Sequence, residues 1–367
     1  MTAEKVKRVL IVGQTPPPYF GQAIMIQRTV EAPFTKVKVF HVRMAFSKKT
    51  SEVSKFNFYK IAHLFHLIFK TIHYRFKYKT ATLYYIPVGS SFVPLMRDII
   101  FLLPVRLFFP KVIFHYRACG IYDYVLGQKK ILRFFSQLAY KKPDLSIHLT
   151  TRNNEFRYLQ GKTRQVVVPN GAKDYSFESK HTAVRNGKTI LFVSILREEK
   201  GLTDLIKACA LLRKKGIDFK VDVLGDFYSE KYRNEIMRMV ESGGMQEQIC
   251  FHGVKVDEAK FSFFAQSDIF CYPSYHDVLP NVVMEAMMFG LPVVSTAYAG
   301  IPDFVLDNET GFLVPIKSPE KIAEKLALLL TDKQLSAKMG KKGRERYLNE
   351  FTIEQYYHRM EESLFSV

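Results

Sequence analysis

Short apolar runs alternate along this chain with longer segments whose apolar positions recur every three or four residues. Val9–Val12 is uninterrupted and stops at Gly13, which predicts a buried strand of a parallel sheet. A proline-rich loop, Gln14 to Gly21, leads into a helical pattern from Gln22 to Glu31. The same alternation predicts strands at Val37–Val42, Thr82–Pro87, Lys111–Tyr116, Leu145–Leu149 and Gln165–Pro169. Helical periodicity fills the intervals at Lys55–Tyr78, at Phe92–Phe108 with a break near Pro104, and at Lys129–Tyr140. Residues 172–188 are polar, lack periodicity and read as a linker. The pattern then restarts. Strands are predicted at Thr189–Ser194, Lys220–Leu224, Ile249–Phe251, Ile269–Tyr272 and Pro292–Ser295. Helices are predicted at Thr203–Lys214, Tyr232–Gly243, Asp257–Gln266, Pro280–Phe289 and Pro319–Leu330. A last amphipathic segment, Ile353–Phe365, closes the chain.

Strands alternating with helices at this pace predict an α/β protein built from two doubly wound, Rossmann-like domains. The expected limits are 1–175 and 186–350, with a helix over 352–367 reaching back to the first domain. A length of 367 residues allows two such domains, and 47% hydrophobic with 24% charged residues excludes a disordered chain. Paired domains of this kind are expected to face each other across a cleft at the carboxyl ends of both sheets, where ligands of open α/β sheets bind. Candidate chemistry therefore lies just after strands.

Four such places stand out. The loop Ser194-Ile-Leu-Arg-Glu-Glu-Lys-Gly201 brings Arg197 and Lys200 to a helix start, a setting suited to a diphosphate, although Glu198 and Glu199 also fit a solvated turn. Asp277 and Glu285 are eight residues apart around Val-Leu-Pro-Asn-Val-Val-Met. Pro280 suits the first turn of the helix there. Backbone at Leu279, Pro280 and Asn281 can hold phosphate, and the two carboxylates can accept hydrogen bonds from sugar or ribose hydroxyls. A capped helix with one buried ion pair is the plain alternative. The loop before Gly21 is stiffened by three prolines, and Gly21 frees an amide near a helix start. His115 lies near a strand end, where it either contacts a substrate oxygen or is a satisfied core histidine. G-x-G-x-x-G, Walker, H-E-x-x-H, D-x-D and G-x-S-x-G patterns are missing, so dinucleotide oxidoreductase, P-loop, metalloprotease and serine-hydrolase readings lack their motifs. No metal site is predicted.

Read together, these segments resemble the retaining glycosyltransferases of the GT-B fold, specifically glycosyltransferase family 4. The resemblance runs in order through Pro-Pro-Pro-Tyr-Phe-Gly-Gln-Ala, Val-Val-Val-Pro-Asn-Gly, Arg-Glu-Glu-Lys-Gly-Leu, Val-Leu-Gly-Asp and Phe-His-Gly-Val. It continues in Tyr-Pro-Ser-Tyr-His-Asp-Val-Leu-Pro-Asn-Val-Val-Met-Glu-Ala-Met, Gly-Leu-Pro-Val-Val-Ser-Thr and Thr-Gly-Phe-Leu-Val-Pro. It implies a nucleotide-diphosphate sugar donor on the second domain, an acceptor on the first, transfer with retention, and no obligatory metal or other cofactor. It also implies residue roles. Glu285 would bind the donor ribose and Asp277 the transferred sugar. Lys200 with an arginine would neutralise the diphosphate. Backbone near Gly253 and Val254 would contact the base, Gly21 would close over the phosphates, and His115 would line the sugar site. The chain departs from the family at three points. Asp277 stands where Glu is usual, Val278 where Gly is usual, and Ile195 where the arginine is expected, leaving Arg197 as its replacement. These departures keep open a non-catalytic sugar-nucleotide or glycan-binding subunit.

Charge adds a partner. The net charge is +19, but residues 1–180 hold 30 Lys+Arg against 9 Asp+Glu, and the remainder is near neutral. Lys55–Lys79 and Phe101–Lys111 interleave cations with aromatic and aliphatic residues, a composition suited to an anionic membrane surface. Combined with the saccharide acceptor that the resemblance implies, the charge makes the expected acceptor a lipid-linked saccharide, in capsule, exopolysaccharide or lipopolysaccharide assembly, at the cytoplasmic face of the membrane. A nucleic-acid partner is not expected, since no recognition motif accompanies the charge. Four widely spaced cysteines favour reduced thiols in the cytoplasm, and no uncharged stretch is long enough to span a bilayer.

Overall fold

A computed structural model describes residues 6–17, 21–46, 58–177 and 187–367. The chain divides into two compact units, residues 1–170 with 354–367, and residues 171–353. The first unit thus ends at Asn170, short of the expected limit at 175.

In the first unit, β1 (Lys7–Gly13), α1 (Gly21–Val30), β2 (Val37–Arg43), α2 (Phe58–Lys77), β3 (Thr82–Tyr85) and α3 (Phe92–Arg106) come in turn. Then follow β4 (Lys111–Tyr116), α4 (Ile121–Leu126), α5 (Lys130–Ala139), β5 (Leu145–His148), α6 (Asn154–Leu159) and β6 (Gln165–Val167). The strands form one parallel sheet in the order β2-β1-β3-β4-β5-β6, with β1 in register so that Val9 faces Val39 and Thr82. Leu10, Val12, Leu83 and Phe114 are buried in the core that the helices cover. The expected break at Pro104 does not occur: α3 runs on to Arg106. Pro104 falls in the last turn, where its missing N–H removes a bond only from the carbonyl of half-exposed Ile100, so the helix survives.

The second unit contains β7 (Thr189–Val193), α7 (Leu202–Lys214), β8 (Lys220–Leu224), α8 (Glu230–Ser242), β9 (Ile249–Phe251), α9 (Asp257–Gln266) and β10 (Ile269–Tyr272). It continues with α10 (Asn281–Met288), β11 (Val293–Thr296), α11 (Ile301–Phe304), β12 (Gly311–Val314), α12 (Pro319–Thr331) and α13 (Lys333–Glu350). Its parallel sheet has the order β12-β11-β10-β7-β8-β9. Strand order reverses between β7 and β10, so the loops after these two strands meet at the switch point where such sheets bind ligands.

Residues 172–177 are not a linker. Ala172 bridges to Thr352, its carbonyl accepts from the Tyr347 hydroxyl at 2.8 Å, and Asp174 pairs with Arg344. Residues 178–186 lie outside the described residues. The polar helix α13 escaped the periodicity because it carries Gly340 and Gly343. A Cβ at Gly340 would stand 2.1 Å from the Gly290 carbonyl oxygen, so glycine is what lets α13 lie against the turn after α10.

The last helix, α14 (Ile353–Phe365), belongs to the first unit from Glu354 onward. The Tyr356 hydroxyl donates to Thr29, whose own proton goes to the Met25 carbonyl at 2.8 Å. Glu361 accepts from the Lys36 amide at 2.6 Å.

Candidate functional site

The loop after β7 forms a short 3-10 turn, Glu198–Lys200, and Gly201 then stands as the N-cap of α7. Gly201 has φ +82°, and a Cβ there would lie 2.3 Å from the Pro273 carbonyl oxygen. Glycine therefore lets this loop press against the loop after β10. The Tyr275 amide donates to the Glu199 carbonyl at 3.1 Å across the same seam. From the other side, the buried hydroxyls of Ser295 and Thr296 donate to the carbonyls of Tyr272 and Ser274. Two loops distant in sequence are thus tied backbone to backbone.

This arrangement joins Lys200 to Asp277. The Lys200 ammonium lies 2.7 Å from Asp277 Oδ1. The hydroxyls of Tyr272 and Ser274 each donate to Oδ2 at 2.7 Å. Burial alone would push this carboxyl up. The Lys200 charge and the hydrogen bonds from Lys200, Tyr272 and Ser274 outweigh it and hold the carboxyl below its ordinary value. Burial, together with the adjacent Asp277 charge, drives the Tyr272 phenol well above its ordinary value, so Tyr272 is a fixed donor.

Glu285 is buried on α10. Its Oε1 pairs with the Lys260 ammonium of α9 at 2.7 Å, while its Oε2 is buried with no partner among the described residues. A carboxyl group with one oxygen anchored and one unmatched is set to accept a hydroxyl hydrogen bond. Pro280 is the residue before α10 rather than part of its first turn, with φ −73° and ψ 122°. It has no amide to offer an anion. Val278 and Leu279 are buried, and the Val278 carbonyl accepts from the Gly300 amide at 2.8 Å.

Arg197 is separately engaged. Its guanidinium lies 3.7 Å above the Tyr228 ring and 3.7 Å from Glu199 Oε1. It lines a surface cavity of about 290 Å³ together with Glu198, Tyr228 and Ser229. Gly253 has φ +67°, and its carbonyl accepts from the Gly225 amide at 2.8 Å; Val254 beside it is exposed.

In the first unit, Gly21 opens α1 and is exposed. Pro18, Tyr19 and Phe20 lie outside the described residues. The part of the loop before them is tethered by Arg43, whose guanidinium donates to the Pro17 carbonyl at 2.8 Å.

His115 does not line an opening. It is fully buried, with Nδ1 bonded to the Tyr84 hydroxyl and Nε2 at 3.2 Å from Arg117 Nη1. A guanidinium only donates, so Nε2 accepts and Nδ1–H donates to Tyr84. Burial, reinforced by the charge of Arg117, holds the imidazole well below its ordinary value, hence neutral. Arg117 reaches on to Asn170 Oδ1. The satisfied core histidine is the arrangement found.

Sequence reasoning missed Lys260, Tyr272, Ser274 and Arg117. Tyr272 and Ser274 sit in the quoted Tyr-Pro-Ser-Tyr-His-Asp stretch, so proximity to Asp277 was a usable signal. Lys260, on another helix, left none. Among the described residues no group of three or more His, Cys, Asp or Glu is placed to hold a metal ion, and no helix is long and apolar enough to cross a membrane.

Residues 175–346 match the family model of glycosyl transferases group 1. That stretch is most of the second unit and contains Lys200, Asp277 and Glu285. Curated relatives agree in kind. The capsular polysaccharide biosynthesis glycosyltransferase CapM of Staphylococcus aureus is 27% identical over 184 residues, 50% of this chain and 47% of that protein. The putative colanic acid biosynthesis glycosyltransferase WcaL of Escherichia coli is 30% identical over 169 residues, 44% of this chain and 41% of that protein. The amylovoran biosynthesis glycosyltransferase AmsK of Erwinia amylovora is 33% identical over 147 residues, 38% and 34% respectively. The matched stretches span less than half the length of each of these relatives.

Solved structures match nearly the whole chain. Sucrose-phosphate synthase of Thermosynechococcus elongatus has a TM-score of 0.73 at 17% identity, covering 97% of this chain and 98% of that one. Anabaena Alr3699/HepE in complex with UDP has a TM-score of 0.73 at 17% identity, covering 98% and 100%. The α/β fold of two doubly wound units expected from the sequence, GT-B, is shared with these structures.

Proposed function

We propose that this protein is a retaining, metal-independent glycosyltransferase of family 4. It transfers a sugar from a nucleotide-diphosphate donor to a lipid-linked saccharide acceptor during surface polysaccharide assembly, at the cytoplasmic face of an anionic membrane. The observation that carries the reading is the set Lys200, Asp277 and Glu285 around the switch point of the second unit. The polysaccharide-biosynthesis names of CapM, WcaL and AmsK support the pathway class, and the UDP bound in Alr3699/HepE supports the donor class.

The chemistry follows from charge. Departure of the nucleoside diphosphate builds negative charge on its terminal phosphate, and a preorganised cation there lowers the barrier. Lys200 supplies it, moving its ammonium from Asp277 to the phosphate as donor binds. Asp277 keeps the Tyr272 and Ser274 protons on Oδ2 and turns its released Oδ1 to a hydroxyl of the transferred sugar. Glu285 accepts a ribose hydroxyl on Oε2. Arg197 contributes the second cation by leaving Tyr228.

The test is donor turnover. The purified chain should release free sugar slowly from one nucleotide-diphosphate sugar, with unchanged anomeric configuration and in the presence of EDTA. Lys200→Ala should abolish this, and Arg197→Ala should reduce it. A binding-only reading is favoured by Ile195 and by the engagement of Arg197 with Tyr228 and Glu199. Donor binding without any hydrolysis or transfer would select that reading.

A further inference from the structure

The helix α5 turns its apolar stripe outward. Ile131, Phe134, Phe135 and Leu138 fall at i, i+3, i+4 and i+7, one face of a helix. Ile131 is 76% exposed and Phe134 61%, and Phe135 and Leu138 are also exposed. The buried side of the helix is made by Ser136 and Ala139. A stripe of this width normally faces a core. Here it faces solvent.

Cations surround it. Between Asp123 and Asp144 the chain carries Lys129, Lys130, Arg133, Lys141 and Lys142 and no acidic residue. The four lysines are exposed. The helix is held rigidly in this pose: Arg106 of α3 donates to the Ala139 carbonyl at 2.6 Å and to the Lys141 carbonyl. The layer extends to α2, which packs against α3, and Phe76 of α2 meets Phe108 edge-on at 6.1 Å.

We propose that α5 is an interfacial membrane anchor, seating Ile131, Phe134, Phe135 and Leu138 at the headgroup–acyl boundary of an anionic bilayer with its lysines at phosphate level. Amphipathic helices with a cationic polar side and large apolar residues opposite bind membranes in this way. Charge selects the bilayer over a second copy of the chain, because a two-fold contact through α5 would set like charges against each other. The inference deepens the acceptor side of the proposed function and rests on it only for the lipid-linked acceptor; membrane attachment itself does not depend on sugar chemistry. It adds to the contact expected from Lys55–Lys79, where Leu64, Leu67 and Ile68 are core residues while Phe65 is 51% and Phe69 71% exposed.

The chain has no tryptophan, so a single introduced one reports its own surroundings. The experiment uses the full chain with phosphatidylcholine vesicles, with and without phosphatidylglycerol, at low salt. The wild type should co-sediment with the anionic vesicles at least about 10-fold better than with the neutral ones. Phe134→Trp should show a blue-shifted emission on binding and quenching by brominated lipid. Ile131→Ser/Phe134→Ser should weaken partitioning by about 100-fold. Lys129→Glu/Lys130→Glu should remove the preference for anionic lipid. All variants should keep the wild-type unfolding midpoint and the thermal shift given by nucleoside diphosphates, which separates failure of the anchor from failure of donor binding. The proposal is overturned if wild type ignores anionic vesicles, or if it binds them with no change at Phe134→Trp. It is equally overturned if wild type is a dimer that Ile131→Ser/Phe134→Ser dissociates.

Discussion

Replacing Asp277 by Asn tests the centre of the donor site with almost no change in shape. In wild type one carboxylate receives an ammonium at 2.7 Å and two hydroxyl donors at 2.7 Å. The amide retains one acceptor oxygen, which can serve Tyr272 and Ser274. Its NH2 group then faces Lys200, donor against donor. Loss of a charge-assisted pair, leaving a largely buried ammonium without its counter-ion, costs about 2–4 kcal/mol. The pH dependence fixes the mechanism. The Asp277 carboxyl is held below its ordinary value, so its contribution to stability is complete above the unfolded-state value, about 3.9. It is lost as pH falls through the lower folded-state value. Denaturant unfolding of both proteins from pH 8 to pH 3 should therefore show a constant gap down to about pH 5 and a shrinking gap below about pH 4. Nucleoside diphosphate affinity should be undiminished, because Lys200 is freed, while turnover falls about 100-fold or more. A gap under about 0.5 kcal/mol at pH 7, or one that widens on acidification, would refute the reasoning.

Three further outcomes follow from the structure. Gly201→Ala forces a Cβ to 2.3 Å from the Pro273 oxygen at φ +82°, so unfolding free energy should drop by about 2–4 kcal/mol together with nucleotide affinity; a change below about 0.5 kcal/mol would mean the two loops are not pressed together. Lys260→Met leaves Glu285 buried without its counter-ion and should cost about 3 kcal/mol in a denaturation series, whereas adding Glu285→Leu should recover most of it; equal losses in the single and double variants would contradict the pairing. Burial lowers the His148 imidazole to about 4, so the unfolded chain gains a proton there as pH falls below about 6.5. Stability should decline by about 3 kcal/mol between pH 6.5 and 4 on its account, and His148→Phe, which keeps the stack on Tyr116, should flatten that decline; an unchanged slope would remove His148 from the account.

Strand positions could be expected from the sequence because several strands hold unbroken apolar runs, as at Val9–Val12 and Ile269–Tyr272. Lys200, Asp277 and Glu285 stand out as candidates because the loops after β7 and β10 and the helix α10 carry distinctive local residues. What escaped depends on long-range geometry. Lys260 comes to Glu285 only once α9 and α10 pack together. Arg117 closes on His115 from two residues away, and no spacing rule distinguishes that from a histidine facing a ligand. The helix α13 lacks an apolar stripe because two glycines make its contact with α10. The helix α5 was legible as a helix, but periodicity does not say whether a stripe faces core or solvent. Nothing in its residues shows that Ser136 and Ala139 take the inner side.

The central claim is that the second unit holds a nucleoside diphosphate through Lys200 and Glu285. Isothermal titration of wild type and Glu285→Gln with ribonucleoside diphosphates and their 2′- and 3′-deoxy counterparts tests it directly. The account predicts that wild type binds at least one ribonucleoside diphosphate and prefers it over a deoxy form by about 10-fold, and that Glu285→Gln erases the preference. Binding of none of them, or a preference that survives in Glu285→Gln, would contradict it.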